Sequence, residues 1–169
     1  MTGEATPARH RVWRLPADID TDALAPGATM KFVLDVTARH CLEAVRPEFA
    51  AQVRRGDVIA AGANFGIGSS REQAVAVLVQ LGVVAVIAPS FSGLYLRNAF
   101  NLGLLLLTCP QAERLRDRER IAFDACAGLV FREDGETLAC EAIPEFLLAM
   151  VQAGGLLEQL RHRNRKEET

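Results

Sequence analysis

Apolar residues along this chain fall into short blocks separated by glycine, proline and polar turns, and the period of those blocks changes between its two halves. Val12-Trp13-Arg14-Leu15 predicts a first short strand, and the carboxylate-rich Asp18-Ile19-Asp20-Thr21-Asp22 predicts a loop. Residues 36–44 have helical spacing. Residues 57–61 predict a buried strand leading into Gly62, and residues 70–80 the helix after it, closed by Gly82. The run 83–88 is continuously apolar and partly β-branched, as a strand buried on both faces should be. Residues 91–101 predict another helix, with Ser90 as its cap. The four leucines 104–107 fit helix or strand equally by period, but their shortness, with Gly103 before and Pro110 after, assigns a strand.

Beyond Pro110 the pattern shortens. Residues 111–118 predict a polar helix, and 121–124, 129–131 and 137–140 predict short strands with a turn at Asp134-Gly135, so this half is richer in antiparallel β. Helical segments at 144–148 and 156–160 flank a break at Gly154-Gly155, and a polar tail after Arg161 is expected to fray. No repeat or linker divides the chain.

At 169 residues, half of them apolar, the chain can bury one sizeable core, and one domain is expected. A net charge of −2 and a pI near 5.9 leave no electrostatic footprint for nucleic acid. Arg161, Arg163, Arg165 and Lys166 are followed by Glu167 and Glu168, which reads as a solvated helix end. Residues 1–10 lack the apolar core of a secretory signal, and no apolar run is long enough for a membrane span, so no membrane association and a cytoplasmic location are expected. Cys41, Cys109, Cys126 and Cys140 are scattered, without a CxxC pair or a histidine at zinc-like spacing, which predicts reduced, mostly buried thiols and no metal held by this chain.

The chemistry concentrates in Asn64-Phe65-Gly66-Ile67-Gly68-Ser69-Ser70-Arg71-Glu72-Gln73, where glycines precede two hydroxyls and a guanidinium at an expected helix start. Unpaired backbone N–H groups there favour an anion, and Arg71 adds a planar fork suited to a carboxylate. The loop is no P-loop, because Gly68 and not lysine precedes Ser69, and its glycine intervals do not fit the dinucleotide fingerprint. The plainer alternative is a capped helix start, with Ser69 or Ser70 as N-cap and Glu72 supporting it.

Taken in order, DTD at 20–22, GDVI at 56–59, GANFGIGSSREQA at 62–74, IAPSF at 87–91 and NAFNLGL at 98–104 resemble the small subunit of 3-isopropylmalate dehydratase, which corresponds to the swivel domain of the aconitase superfamily. The resemblance spans residues 11–160, leaving 1–10 as a flexible N-terminus and 161–169 as a polar tail. It implies an α/β fold, the three-layer β/β/α swivelling domain of the aconitase C-terminal part. It also implies that the chain itself binds no cofactor. A separate large subunit, in a heterodimer or heterotetramer, would carry a 4Fe-4S cluster.

By the same resemblance Ser69 is the catalytic base, Ser70 and Arg71 grip a substrate carboxylate, and Asp22 lies beside the serine and organises it. Asp18 and Asp20 read as structural, Glu72, Gln73 and Asn98 as supports, and His10, His40 and His162 match no functional position. The segment after Pro26-Gly27 corresponds to the family's specificity loop, but Met30-Lys31-Phe32 departs from the usual Tyr-Leu pattern. Lys31 can pair with an extra carboxylate as a point charge, or Met30 and Phe32 can line an apolar pocket while Lys31 points outward. Ile67 replaces a cysteine frequent between the two glycines. The implied reaction is dehydration and rehydration of a malate-type dicarboxylate or tricarboxylate. Isopropylmalate in leucine biosynthesis comes first, then homoaconitate, then dimethylmalate or citraconate. A non-catalytic carboxylate-binding or assembly module is the reading from another class.

Overall fold

The structure, a computed structural model, describes residues 8–167. Its strands are β1 (His10–Arg14), β2 (Val58–Ala60), β3 (Ala85–Ala88), β4 (Leu105–Thr108), β5 (Arg120–Asp124), β6 (Leu129–Arg132) and β7 (Thr137–Ala139). Its helices are α1 (Thr21–Leu24), α2 (Leu34–Arg39), α3 (Phe49–Gln52), α4 (Gln73–Gln80), α5 (Gly93–Asn101), α6 (Glu145–Gln152) and α7 (Leu156–Glu167). The expected N-terminal segment 1–10 falls mostly outside the described residues, and its last residue, His10, opens β1.

One sheet carries all the strands in the order β4-β3-β2-β1-β5-β6-β7. From β4 to β1 the neighbours are parallel, with α4 and α5 as the crossovers between β2, β3 and β4, and every residue of β2 and β3 is buried. Such strands are covered on both faces, which is why they read as unbroken apolar runs. From β5 to β7 the pairing is antiparallel and the strands alternate, with Val130 and Arg132 buried and Phe131 exposed.

β1 joins the two halves. His10 and Arg11 pair with Ile121 and Arg120, while Val12 to Arg14 pair with Val58 to Ala60. Just beyond the outer strands, Glu141 N donates to Thr108 O at 2.8 Å and Cys109 Sγ to Ala139 O at 3.5 Å, so the curled sheet brings its two edges together. At the centre Trp13 is fully buried, with its indole N–H on Asp57 at 2.9 Å and the guanidiniums of Arg11, Arg46 and Arg118 around its ring. Under the antiparallel half Arg132 and Glu119 form a buried ion pair at 2.8 Å.

Several predicted boundaries move. The helix expected over 36–44 is the shorter α2, because Leu42 takes a left-handed conformation (φ 60) to donate to Ala23 O. The polar helix expected over 111–118 is one 3₁₀ turn, Ala112–Arg114: Ala112 and Leu115 are both buried, and the chain must then turn at Arg118 (φ 65) into β5. Ser90 does not cap α5, since its hydroxyl accepts from Asn64 N at 2.9 Å instead. In the segment expected to fray, α7 continues to Glu167 through residues that favour helix, with Glu158 paired to Arg161.

Candidate active site

The sequence loop 62–69 is held by a second segment, 16–21, that runs beside it past the ends of β1 and β2. Gly62 N donates to Pro16 O, Asp18 N to Ala63 O, Gly66 N to Ile19 O and Thr21 N to Ile67 O, at 3.2, 2.8, 2.7 and 2.8 Å. Asp18 (φ 59) and Asn64 (φ 63) both turn left-handed, as Asp and Asn tolerate, and Asn64 Nδ2 donates to Asp18 Oδ1 at 2.8 Å. Gly66 (φ +79) lies so close to Tyr95 that a Cβ would meet the ring at 2.2 Å. At Gly68 (φ +108) a Cβ would stand 3.0 Å from Thr21 Oγ1, so its absence lets the following residue descend onto that hydroxyl.

That residue is Ser69. Its backbone N–H donates to Thr21 Oγ1 at 3.0 Å, and its Oγ lies 3.1 Å from the same oxygen. Thr21 is 2% exposed, whereas Ser69 and Ser70 are open to solvent. The hydrogen-bond partner of Ser69 is thus Thr21, while the expected organiser Asp22 pairs with Arg71. Asp22 Oδ1 accepts from Gly27 N at 2.9 Å and from Arg71 Nη1 at 3.1 Å. The Gly27 bond first, and the guanidinium second, hold the Asp22 carboxyl below its ordinary range. The residue that caps α1 is Asp20, accepting from Ala23 N at 2.7 Å.

Arg71 Nη1 also donates to Ala25 O at 3.1 Å. Among the described residues neither its Nη2 nor its Nε has a hydrogen-bond partner, which leaves one edge of the fork for a carboxylate. The helix contributes less than expected. α4 begins only at Gln73, with Glu72 at its N-cap, and neither serine caps it. Thr21 draws Ser69 away from that geometry, and Asn98 Nδ2 holds the Ser70 carbonyl at 3.0 Å. Positive charge at the site is therefore that of Arg71 rather than of a helix end.

The candidate specificity residues follow the 3₁₀ turn Gly27–Thr29, whose first residue donates to Asp22. Met30 is half-buried against the core, Lys31 is exposed with Nζ 5.3 Å from the Phe32 ring centre, and Phe32 is 53% exposed. On the other side of Asp22 a cavity of about 430 Å³ is lined by Asp18, Asp20, Asp22 and Glu43 among others, and its charge is hostile to a carboxylate. It includes neither Ser69 nor Arg71.

Two of the four thiols lie together. Cys41 and Cys109 are buried, Cys126 is exposed in the β5–β6 turn, and a hydrogen bond with the free thiol of Cys140 lowers the Cys109 thiol to about 7. Among the described residues no three His, Cys, Asp or Glu side chains form a metal-binding group. This donor set does not fit an iron-sulfur cluster. Nor is any described helix long and apolar enough to cross a membrane.

The family model for the aconitase C-terminal domain matches residues 38–112. A 3-isopropylmalate dehydratase small subunit from Heliobacterium modesticaldum is 39% identical over 90% of this chain and 94% of that protein. A methanogen homoaconitase small subunit from Methanothermobacter thermautotrophicus is 41% identical over 88% of each. The crystal structure of 3-isopropylmalate dehydratase (LeuD) from Methanocaldococcus jannaschii superposes with a TM-score of 0.89 at 33% identity, over 96% of this chain and 98% of that one. The expected swivelling-domain fold is thereby borne out.

Proposed function

The chain belongs to the 3-isopropylmalate dehydratase small-subunit family, and from that premise we propose that it is the small subunit of a heteromeric hydro-lyase. The enzyme interconverts 2-isopropylmalate and 3-isopropylmalate by dehydration and rehydration, a step of leucine biosynthesis in the cytoplasm. The observation that carries this reading is the pairing of the Ser69 hydroxyl with a buried hydroxyl partner beside a half-free guanidinium. Proton abstraction next to a carboxylate needs these two things together: a base, and a cation that orients the carboxylate and takes up developing charge.

Ser69 removes the proton from the carbon beside the carboxylate, the hydroxyl leaves from the opposite face, and water returns at the neighbouring carbon. A free serine is far too weak a base at neutral pH, so its oxyanion must be stabilised by its surroundings. Ser70 and the free edge of Arg71 bind the carboxylate. Asp22 acts on Arg71, fixing the plane of the fork through Nη1 and leaving Nε and Nη2 for the carboxylate. Met30, Lys31 and Phe32 face the substituent that distinguishes one substrate from another.

Ser69 and Ser70 are solvent-exposed in the chain alone, and a serine base needs a drier site, which supports a large subunit closing over this face. That partner would hold the 4Fe-4S cluster, which would supply Lewis acidity for the departing hydroxyl. A homoaconitase small subunit is the second reading. It is favoured by the cationic Lys31 in the loop and by the 41% identity to a relative of that name.

The test is anaerobic reconstitution with the candidate large subunit, following formation of the unsaturated acid from isopropylmalate and homologous tricarboxylates. Turnover of isopropylmalate that vanishes in Ser69→Ala is expected. Full activity in that variant would remove Ser69 as the base. A complex that forms without turning over any substrate would leave a carboxylate-binding module as the better account.

A further inference from the structure

We propose that Thr21 is the positioning residue of the Ser69 base, donating its hydroxyl hydrogen to the Ser69 oxygen and thereby favouring the oxyanion over the neutral hydroxyl. The inference rests on the reading of Ser69 as the base and adds the group that makes it one. A threonine hydroxyl has one hydrogen and two lone pairs. The Ser69 backbone N–H can only donate, so the 3.0 Å bond from it occupies a lone pair of Thr21 Oγ1 and leaves the hydroxyl hydrogen to be placed. The Ser69 oxygen, 3.1 Å away, is the acceptor that this arrangement provides. At 2% exposure Thr21 has little water to turn to, and its backbone N–H is fixed on Ile67 O at 2.8 Å.

The two bonds close a ring through Ser69 N, Cα, Cβ and Oγ and back through Thr21 Oγ1. The ring pins the serine rotamer. It also discriminates between protonation states. With Ser69 neutral either oxygen can donate, but once Ser69 is ionised only Thr21 can, and a bond to an anion is about twice as strong as a neutral one. Stabilisation that grows with the developing charge is what accelerates a step. The loop is shaped for the approach, since a Cβ at residue 68 would stand 3.0 Å from the threonine oxygen.

The test compares Thr21→Val with Thr21→Ser in the reconstituted two-subunit enzyme, measuring kcat and KM from pH 6 to 10 beside Ser69→Ala. Thr21→Ser keeps the donor and is expected to stay within about threefold of the parent. Thr21→Val should lose about tenfold to a hundredfold in kcat, with KM little changed. Its deficit should be largest at and below neutral pH and should narrow toward pH 10, because the ascending limb set by ionisation of the Ser69 base moves up by about one to two pH units. A deficit equal at every pH, or one shared by Thr21→Ser, would reduce Thr21 to a loop support and overturn the proposal.

If Thr21→Val does not fold, Thr21→Cys, which fills the site with a poor donor, takes its place with the same pH signature expected and the same result refuting. The controls keep the two readings apart. Ser69→Ala at full activity would refute the base itself, whereas an inactive Ser69→Ala beside a fully active Thr21→Val would refute only the role of Thr21.

Discussion

Replacing Gly66 by alanine should cost several kcal/mol, because two separate penalties meet at this residue. Its φ of +79° lies in the left-handed region, where an L side chain costs roughly 1–2 kcal/mol. The added Cβ would lie 2.2, 2.5 and 2.6 Å from Cγ, Cβ and Cδ2 of Tyr95, where carbons normally rest about 3.5–4.0 Å apart. Tyr95 has little room to retreat: it is 1% exposed, stands edge-on to Phe65 at 5.3 Å between ring centres, and bonds Ala74 O at 3.1 Å. Overpacking of this kind costs roughly 1–3 kcal/mol, and a displaced ring gives up a hydrogen bond of about 1 kcal/mol. The sum, roughly 3–6 kcal/mol, corresponds to a fall in Tm of roughly 6–24 °C for a domain of this size.

The comparison is Gly135→Ala, at φ +90° in an exposed turn with nothing within 4 Å of its Cβ, where only the backbone penalty of roughly 1–2 kcal/mol applies. Urea and thermal unfolding of the parent and both variants measure the difference. Adding Tyr95→Leu to Gly66→Ala should give a loss smaller than the sum of the single changes, since the second removes the wall that the first strikes. A Gly66→Ala variant no less stable than Gly135→Ala, or strict additivity with Tyr95→Leu, would refute the reasoning.

Two further outcomes follow from the charges. Burial alone would raise the Asp57 carboxyl, but bonds from Arg11, the Arg54 N–H and the Trp13 indole hold it below its ordinary range, so its contribution is complete above about pH 4 and lost as pH falls through the lower folded value. Asp57→Asn should therefore be markedly less stable than the parent in urea at pH 7, with the gap closing toward pH 3; a gap constant over that range would refute the assignment. Lys31→Ala should raise KM for a tricarboxylate about twofold to fivefold, as an exposed point-charge contact would, and leave isopropylmalate unchanged. Steady-state kinetics giving equal effects on both substrates would remove Lys31 from recognition.

The parallel half of the sheet was readable because strands covered on both faces leave unbroken apolar runs, as at 57–61 and 83–88. The segment 111–118 was not, since a polar stretch with two buried residues three apart fits a helix and a single turn alike, and only the tertiary path into β5 decides. At the site the hydroxyls, the guanidinium and their order were legible, but the partner of Ser69 was not. In DTD the carboxylate beside the threonine drew attention, yet Asp20 is spent on capping α1 and Asp22 on Arg71. A threonine carries no charge to flag it, and nothing in the linear sequence shows that its oxygen lies against a residue 48 positions away.

The place of the site follows from the sheet. Open α/β sheets hold ligands beyond the carboxyl ends of their parallel strands, and three neighbouring strands feed this one. β1 leads into 16–22, β2 into 62–71, and β3 into Ser90 and Phe91, which meet Asn64 and Phe65. Four backbone bonds zip the first two segments, so Thr21 and Ser69 meet through main-chain registry rather than through mobile side chains. A hydroxyl pair set this way is already ordered in the chain alone. Arg71 shows the same economy: one nitrogen is fixed by Asp22 and Ala25, and the rest of the fork stays free among the described residues. The chain thus prepares its groups in advance and leaves their outer faces open, as one wall of a site completed by a second subunit requires.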